Sequence, residues 1–381
     1  MLTILGLALL FVILLILPFA VSMLSQKKSR EAALYVKNDN VRDPRYFSNS
    51  FRYLVENGIN RENRTVQMSK LEPYLLADEL TGNACGAIVI AETRFRPLGI
   101  AVFSKEIYAA ASARIPEQTY LRAIACLDEL ELLRNCSVIR WADSEKQMIV
   151  HPGCMLGINA SSAERLRIAP GCTFRRLYAP EILIGLETVS PAHQPVDMTV
   201  YTQRWIDAEF VEPQSVVKKT IVSEFSLDIG EGAVVMGSLK STHNIYLHKN
   251  ARVNGNVIAD GLLILDEGAR ILGTAFSQDS ILVGPEAEIG VPPRIKSLIA
   301  RKFIMLCETA RVYGYVGCEV DSVTIAKENF QLELRHKRWA SRMTQIKNQI
   351  LQEKFDRRKA SAAKTAAEDA ELEEEVDSLF E

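Results

Sequence analysis

The chain has 381 residues, and its 45 Lys and Arg against 47 Asp and Glu leave a net charge of −2. That balance excludes a global basic footprint for nucleic acid, and an apolar fraction of 48% excludes a largely disordered chain; seven cysteines without a Cys-x-x-Cys pair exclude a disulfide scaffold. A mean hydropathy of +0.03 is high for a chain that is 24% charged, so the apolar excess has to be concentrated somewhere.

Residues 1–25 hold a first share of it. Leu2 to Leu24 is an uncharged run, long enough at 1.5 Å per residue to cross a hydrocarbon core of ~30 Å as a helix. Lys27, Lys28 and Arg30 come directly after it, which predicts a single-pass anchor with the N-terminus outside and the bulk of the chain in the cytoplasm. The competing reading, a signal peptide cleaved near Ala20 to Ser22, lacks a basic leader and has too long an apolar run. Sparse, unpaired cysteines agree with a reducing compartment.

Residues 26–123 read as a juxtamembrane region, either a small domain or a solenoid cap. Asp43 to Phe47 suggests a turn, and Ser48 to Leu54 a short amphipathic helix. That helix is either a packing element or a hold on the membrane. The apolar runs Ala87 to Ala91 and Gly99 to Phe103 suggest strands, as a cap or as the first coils of a rod.

A repeat begins at 124–186. Leu130, Leu132, Cys136 and Val138 recur as Met148, Val150, Cys154 and Leu156, then as Leu166, Ile168, Cys172 and Phe174, each step being 18 residues. The same lattice returns over 222–320 with alanine in the cysteine slot. Ala233, Ala251, Ala269 and Ala287 are 18 apart, and Ala310 comes after 23, the extra five matching Val291 to Ile295. From Cys172 to Ala233 is 61 residues, three periods plus seven, so 187–221 is expected to hold an insertion or loop. Apolar residues paired at i and i+2 are strand chemistry, and three short strands per period make one turn of a parallel, triangular β-solenoid. Eight such coils form a rod of roughly 40 Å. Gly237, Gly255, Gly273 and Gly314 are read as corner glycines. The alanine and cysteine columns are read as small because a narrow three-sided coil leaves little room. Cys136, Cys154 and Cys172 are thus core residues, since a vertical ladder offers zinc no tetrahedron.

The stretch from Ala233 to Gly273, with its recurring A-x-V-x-G pattern and Asn254-Gly-Asn-Val-x-Ala259, resembles the core of the bactofilins, bacterial polymer-forming cytoskeletal proteins. The resemblance covers about 222–320 and extends plausibly to 124–186. It implies a right-handed β-helix that stacks end on end into nucleotide-free filaments on the inner membrane. It also implies a part in cell shape and in localising envelope or morphogenetic proteins. The family's usual plan is more compact than this chain, which adds an N-terminal span, an extra stretch before the repeat and a long C-terminal helix.

A second reading makes the solenoid an enzyme. Val283-Gly284-x-x-Ala287-x-Ile289-Gly290 satisfies the hexapeptide rule of acyltransferase β-helices. The spacing of His243 and His248 resembles a two-ligand pair of γ-carbonic-anhydrase-like zinc enzymes, but the third ligand, expected near 207, is Asp207. No catalytic set is assembled, no cofactor is implied, and no phosphate loop or nucleophile elbow occurs.

Residues 321–360 read as a basic amphipathic helix. Trp339, Met343, Ile346 and Ile350 form a stripe for a partner helix. An acidic tail, 361–381, closes the chain. These opposed charge blocks suit contact with each other, with anionic lipid or with an envelope protein.

Overall fold

The structure, a computed structural model, describes residues 43–60, 65–66, 74–99, 101–187, 197–202 and 205–335. The readings placed on residues 1–25, on Trp339, Met343, Ile346 and Ile350, and on 361–381 lie outside the described residues. From Arg45 onward the chain forms one compact unit. It is a right-handed parallel β-solenoid of about 13 turns, rather than the eight counted in sequence.

Each turn has three sides. In a first block, side A stacks Tyr74–Leu76, Ile88–Ala91 and the successive strands that reach Asn159–Ser162. Side C stacks Ala113–Ile115, Leu130–Leu132, Gln147–Val150 and Arg165–Ile168. Side B begins at Ala84–Cys85 and climbs through residues 102–103, 120–121 and 137–138. A second block has the same three sides. Side A runs from Trp205–Ile206 to Lys296–Ala300, side B from Phe210–Val211 to Phe303–Cys307, and side C from Val216–Val217 to Glu288–Ile289.

The inward residues of both blocks form one continuous core. Within a strand the burial alternates, as in Leu227–Ile229 and Leu239–Ser241, because only every second side chain points inward. No coil buries its apolar row alone, so the core exists only through stacking.

The blocks do not follow one another along the rod. The last coil of the first block is the long strand Thr173–Ile184, and that of the second is Arg311–Ile325. These two coils pair antiparallel around all three sides: Thr173 with Val323 on side B, Leu177 with Val316 and Tyr178 with Tyr315 on side A, Ile182 with Val312 on side C. The solenoids therefore meet C-terminal coil to C-terminal coil, and their N-terminal coils are the outer ends of the rod. The order of sides agrees. The first block runs A to C to B and the second A to B to C, as two coils of one hand must when they point in opposite directions.

Several sequence expectations change accordingly. The offset of three periods plus seven is not a slipped phase but the mark of a second solenoid running back toward the first. The segment 187–221, expected as an insertion, contains from Trp205 onward the first coil of the second block and the start of its second coil. The coils of the first block start at Tyr74, inside the 26–123 region. At the other end the strand persists to Ile325, and helix runs over 327–335, later than the expected start at 321. Gly314 lies between Val312 on side C and Val316 on side A, where the closing strand passes from one side to the next without a break. Its φ is +133, and a Cβ there would stand 2.2 Å from the Lys296 carbonyl oxygen.

Among the described residues, each block carries one helix. Tyr46–Gly58 packs on side A of the first block, where Val55 meets Ile88, Ile90 and Tyr108 and Phe51 stacks on Trp141. Phe330 and Leu334 of the 327–335 helix pack on side B of the second block against Leu262, Ile264, Leu282, Met305 and Cys307.

Candidate assembly surfaces

The side chains picked from sequence occupy three environments. Ala233, Ala251, Ala269, Ala287 and Ala310 are all fully buried in one column, and Cys136, Cys154 and Cys172 fill the equivalent slot of the first block. The thiols do more than fill space. Cys136 Sγ donates to the Pro116 carbonyl at 3.0 Å, Cys154 to Leu133 at 3.1 Å and Cys172 to His151 at 3.2 Å. Each thus ties a corner to the coil below. Burial pushes the thiol of Cys126 up to about 11 and that of Cys307 up to about 12, which keeps both protonated and unreactive at neutral pH.

Gly237, Gly255 and Gly273 do sit at bends, but not for a left-handed backbone. They stack so closely that a Cβ on Gly273 would lie 2.3 Å from the Gly255 carbonyl oxygen, and one on Gly237 2.2 Å from that of Lys219. The left-handed corner lies elsewhere, at the residue just before the slot held by alanine, cysteine or, at 215, serine. Asn135, Gly153 and Gly171 take positive φ in the first block, and Gln214, Gly232, Asn250, Gly268, Glu286 and Thr309 in the second. Asn250 Oδ1 would stand 2.3 Å from a Cβ on Gly268, so the side chain of one corner occupies the space that glycine leaves at the next. The Gly or Asn before Cys136, Cys154, Cys172, Ala233, Ala251 and Ala269 is visible in the sequence as this signal, whereas Glu286 and Thr309 before Ala287 and Ala310 are not.

His243 and His248 are not brought to a common ligand set. His248 Nε2 faces Asp228 Oδ1 at 2.5 Å one coil below, while His243 Nδ1 faces Thr242 Oγ1 at 3.0 Å. Among the described residues no group of three His, Cys, Asp or Glu side chains is arranged to hold a metal. Among them, too, no helix is long and apolar enough to cross a membrane.

A polar cluster beneath the N-terminal helix was not anticipated. Asp143 points outward from side A yet is completely covered. Its carboxylate accepts from Arg45 Nε and Nη2, both at 2.8 Å, from Ser48 Oγ at 2.8 Å and from Ser161 Oγ at 2.6 Å; it also pairs with Arg52. Glu145 joins both arginines. Burial lowers the Arg52 guanidinium from its ordinary value, against the opposite pull of Asp143. The sequence signal was slight: an acid on the outer row of a side whose neighbouring coil offers only Ala123 and Ala125.

The surfaces that distinguish this rod are its coil edges. At the junction, one edge pairs with another in register, reinforced where Thr324 Oγ1 donates to the Ala169 carbonyl at 2.7 Å and Arg175 Nε to Asp321 at 2.6 Å. The outermost described strands are Tyr74–Leu76 at one end, paired with Ile88–Ala91, and Trp205–Ile206, Phe210–Val211 and Val216–Val217 at the other, paired with the second coil of their block. Exposed apolar side chains gather there: Tyr74, Leu75 and Leu76 at one end, Trp205, Phe210 and Val216 at the other. No protein-family model, curated protein or solved structure matches the chain.

Proposed function

We propose that this protein is a membrane-anchored scaffold of the bactofilin kind, which assembles end on through its solenoid and holds cell-envelope or morphogenetic proteins in place on the cytoplasmic side. The observation that carries the reading is the junction. Within one molecule, a bare coil edge is satisfied by another coil edge around all three sides, so edge-to-edge stacking is a contact this sequence is built to make. The outermost described coils carry exposed apolar side chains, Leu75 and Leu76 in one block and Trp205, Phe210 and Val216 in the other, which suit the same kind of contact. The anchor and the envelope partners rest on the Leu2 to Leu24 run and on the sequence resemblance.

The test is to purify the full chain in detergent and follow its length distribution by negative-stain electron microscopy as concentration rises. The proposal expects rods joined end to end without added nucleotide. Single rods at every concentration, unaffected by Trp205→Asp or Leu75→Asp, would overturn it.

A further inference from the structure

The Tyr46–Gly58 helix has two apolar stripes, and only one is used by the rod. Phe51 and Val55 pack inward beside Ser48 and Arg52. On the opposite face Tyr46 is 61% exposed, Phe47 57%, Tyr53 71% and Leu54 48%, with the small polar Ser50 and Asn57 between them. Both arginines of this stretch, Arg45 and Arg52, are turned inward and neutralised by Asp143 and Glu145, so neither charge breaks up the outer stripe.

We propose that this outer stripe lies in the interfacial layer of a lipid bilayer, and that the rod consequently lies flat on the membrane with side A toward it. The inference rests on the reading of Leu2 to Leu24 as an anchor. Two tyrosines, a phenylalanine and a leucine on one helical face are the side chains that favour the boundary between headgroups and acyl chains. Twenty-one residues separate Leu24 from Tyr46, including Lys27, Lys28 and Arg30. Fully extended they reach about 70 Å, which caps the distance between an anchored Leu24 and the helix and raises the local concentration of the stripe at the bilayer.

The orientation comes from how the helix is fixed. Arg45 at its start meets Asp143, while Val55 near its end packs on Ile88, three coils along the rod. From Arg45 to Val55 a helix rises about 15 Å at 1.5 Å per residue, and three coil spacings of about 4.8 Å come to nearly the same length. The helix therefore runs parallel to the rod axis. Side A continues past Tyr178 and Tyr315 into the outward row Ile299, Phe276 and Ile258, then Lys240, while side C carries ion pairs such as Arg114–Glu131 and Arg270–Glu288. A second copy is a poorer occupant. The four side chains expose roughly 500 Å², against roughly 800 Å² per partner in a stable dimer.

The test uses the full chain in phosphatidylcholine vesicles, with an environment-sensitive dye on Tyr53→Cys or, for reference, on Glu231→Cys beside side C. The native cysteines are all buried, so labelling is selective. Flotation with the vesicles is read first; a chain that does not float refutes the anchor reading, and this inference falls with it. In a floating chain, the dye at 53 should be quenched by lipids brominated near the headgroup and be several-fold less open to aqueous iodide than the dye at 231. Equal access of iodide to both sites would overturn the proposal while leaving the anchor intact. Shielding at 53 from iodide and bromolipid alike would overturn it in favour of a protein contact.

Discussion

The two solenoid blocks share a core and a hand yet secure their helices by different chemistry. The first holds Tyr46–Gly58 with a buried carboxylate that receives two arginines and two serines. The second holds 327–335 mainly by apolar area, through Phe330 and Leu334, with only solvent-exposed ion pairs from Lys327 to Glu267 and Glu286 beside it. Apolar packing tolerates sliding, whereas Asp143 accepts its donors in one register only. The polar clamp thus fixes where along the rod the first helix sits, and the apolar contact fixes mainly that the second helix is held.

Removing what holds either helix should have the largest effect. Asp143→Ala removes the buried carboxylate and leaves Arg45 and Arg52 to the half-exposed Glu145, at a cost of about 3 kcal/mol. Hydrogen exchange should show the loss in the helix and in coils 88–161 and spare the second block; uniform loosening would contradict separate securing. Phe330→Ala should cost about 3 kcal/mol by loss of apolar packing, release 327–335 and leave the first helix protected. Its cost should be nearly insensitive to salt.

Smaller effects should come from the coils. Ala251→Leu overpacks a fully buried slot, and Gly255→Ala sets a Cβ 2.6 Å from the Gly237 carbonyl oxygen, so each should cost about 1–3 kcal/mol in thermal unfolding. The smallest is a pH effect common to both blocks. Cys126 and Cys307 have thiols raised above the unfolded value of about 8.5. Their stabilising contribution is complete below that value and is lost as pH rises toward about 11 and about 12 respectively. Unfolding midpoints measured at pH 7.5 and pH 10 should fall more steeply in the wild type than in Cys126→Ala.

The solenoid was legible because its inward rows repeat every 18 residues, and the Ala and Cys columns are where the repeat placed them. The first coils were not, because their period breaks. Inward Ile107, Ile124 and Ala142 are 17 and then 18 apart, bulges shift the register between Phe103 and Glu106 and between Val138 and Trp141, and Thr119 replaces cysteine in the corner slot. The antiparallel junction left no periodic trace, since a repeat reads the same whichever way its block points in space. The carboxylate clamp joins residues about a hundred positions apart, and no local pattern links Arg45 to Asp143.

The central claim is that the two blocks meet through their C-terminal coils. Tyr178 and Tyr315 face each other across that junction, at the 4.5–5.5 Å Cα separation of an antiparallel pair, within reach of a disulfide. In a Tyr178→Cys, Tyr315→Cys double variant, mild oxidation should form an intrachain cross-link in the monomer, identified by peptide mass spectrometry. Two thiols that stay free, or cross-link only between chains, would contradict the account; in a solenoid running on in one direction these positions would lie several coils apart.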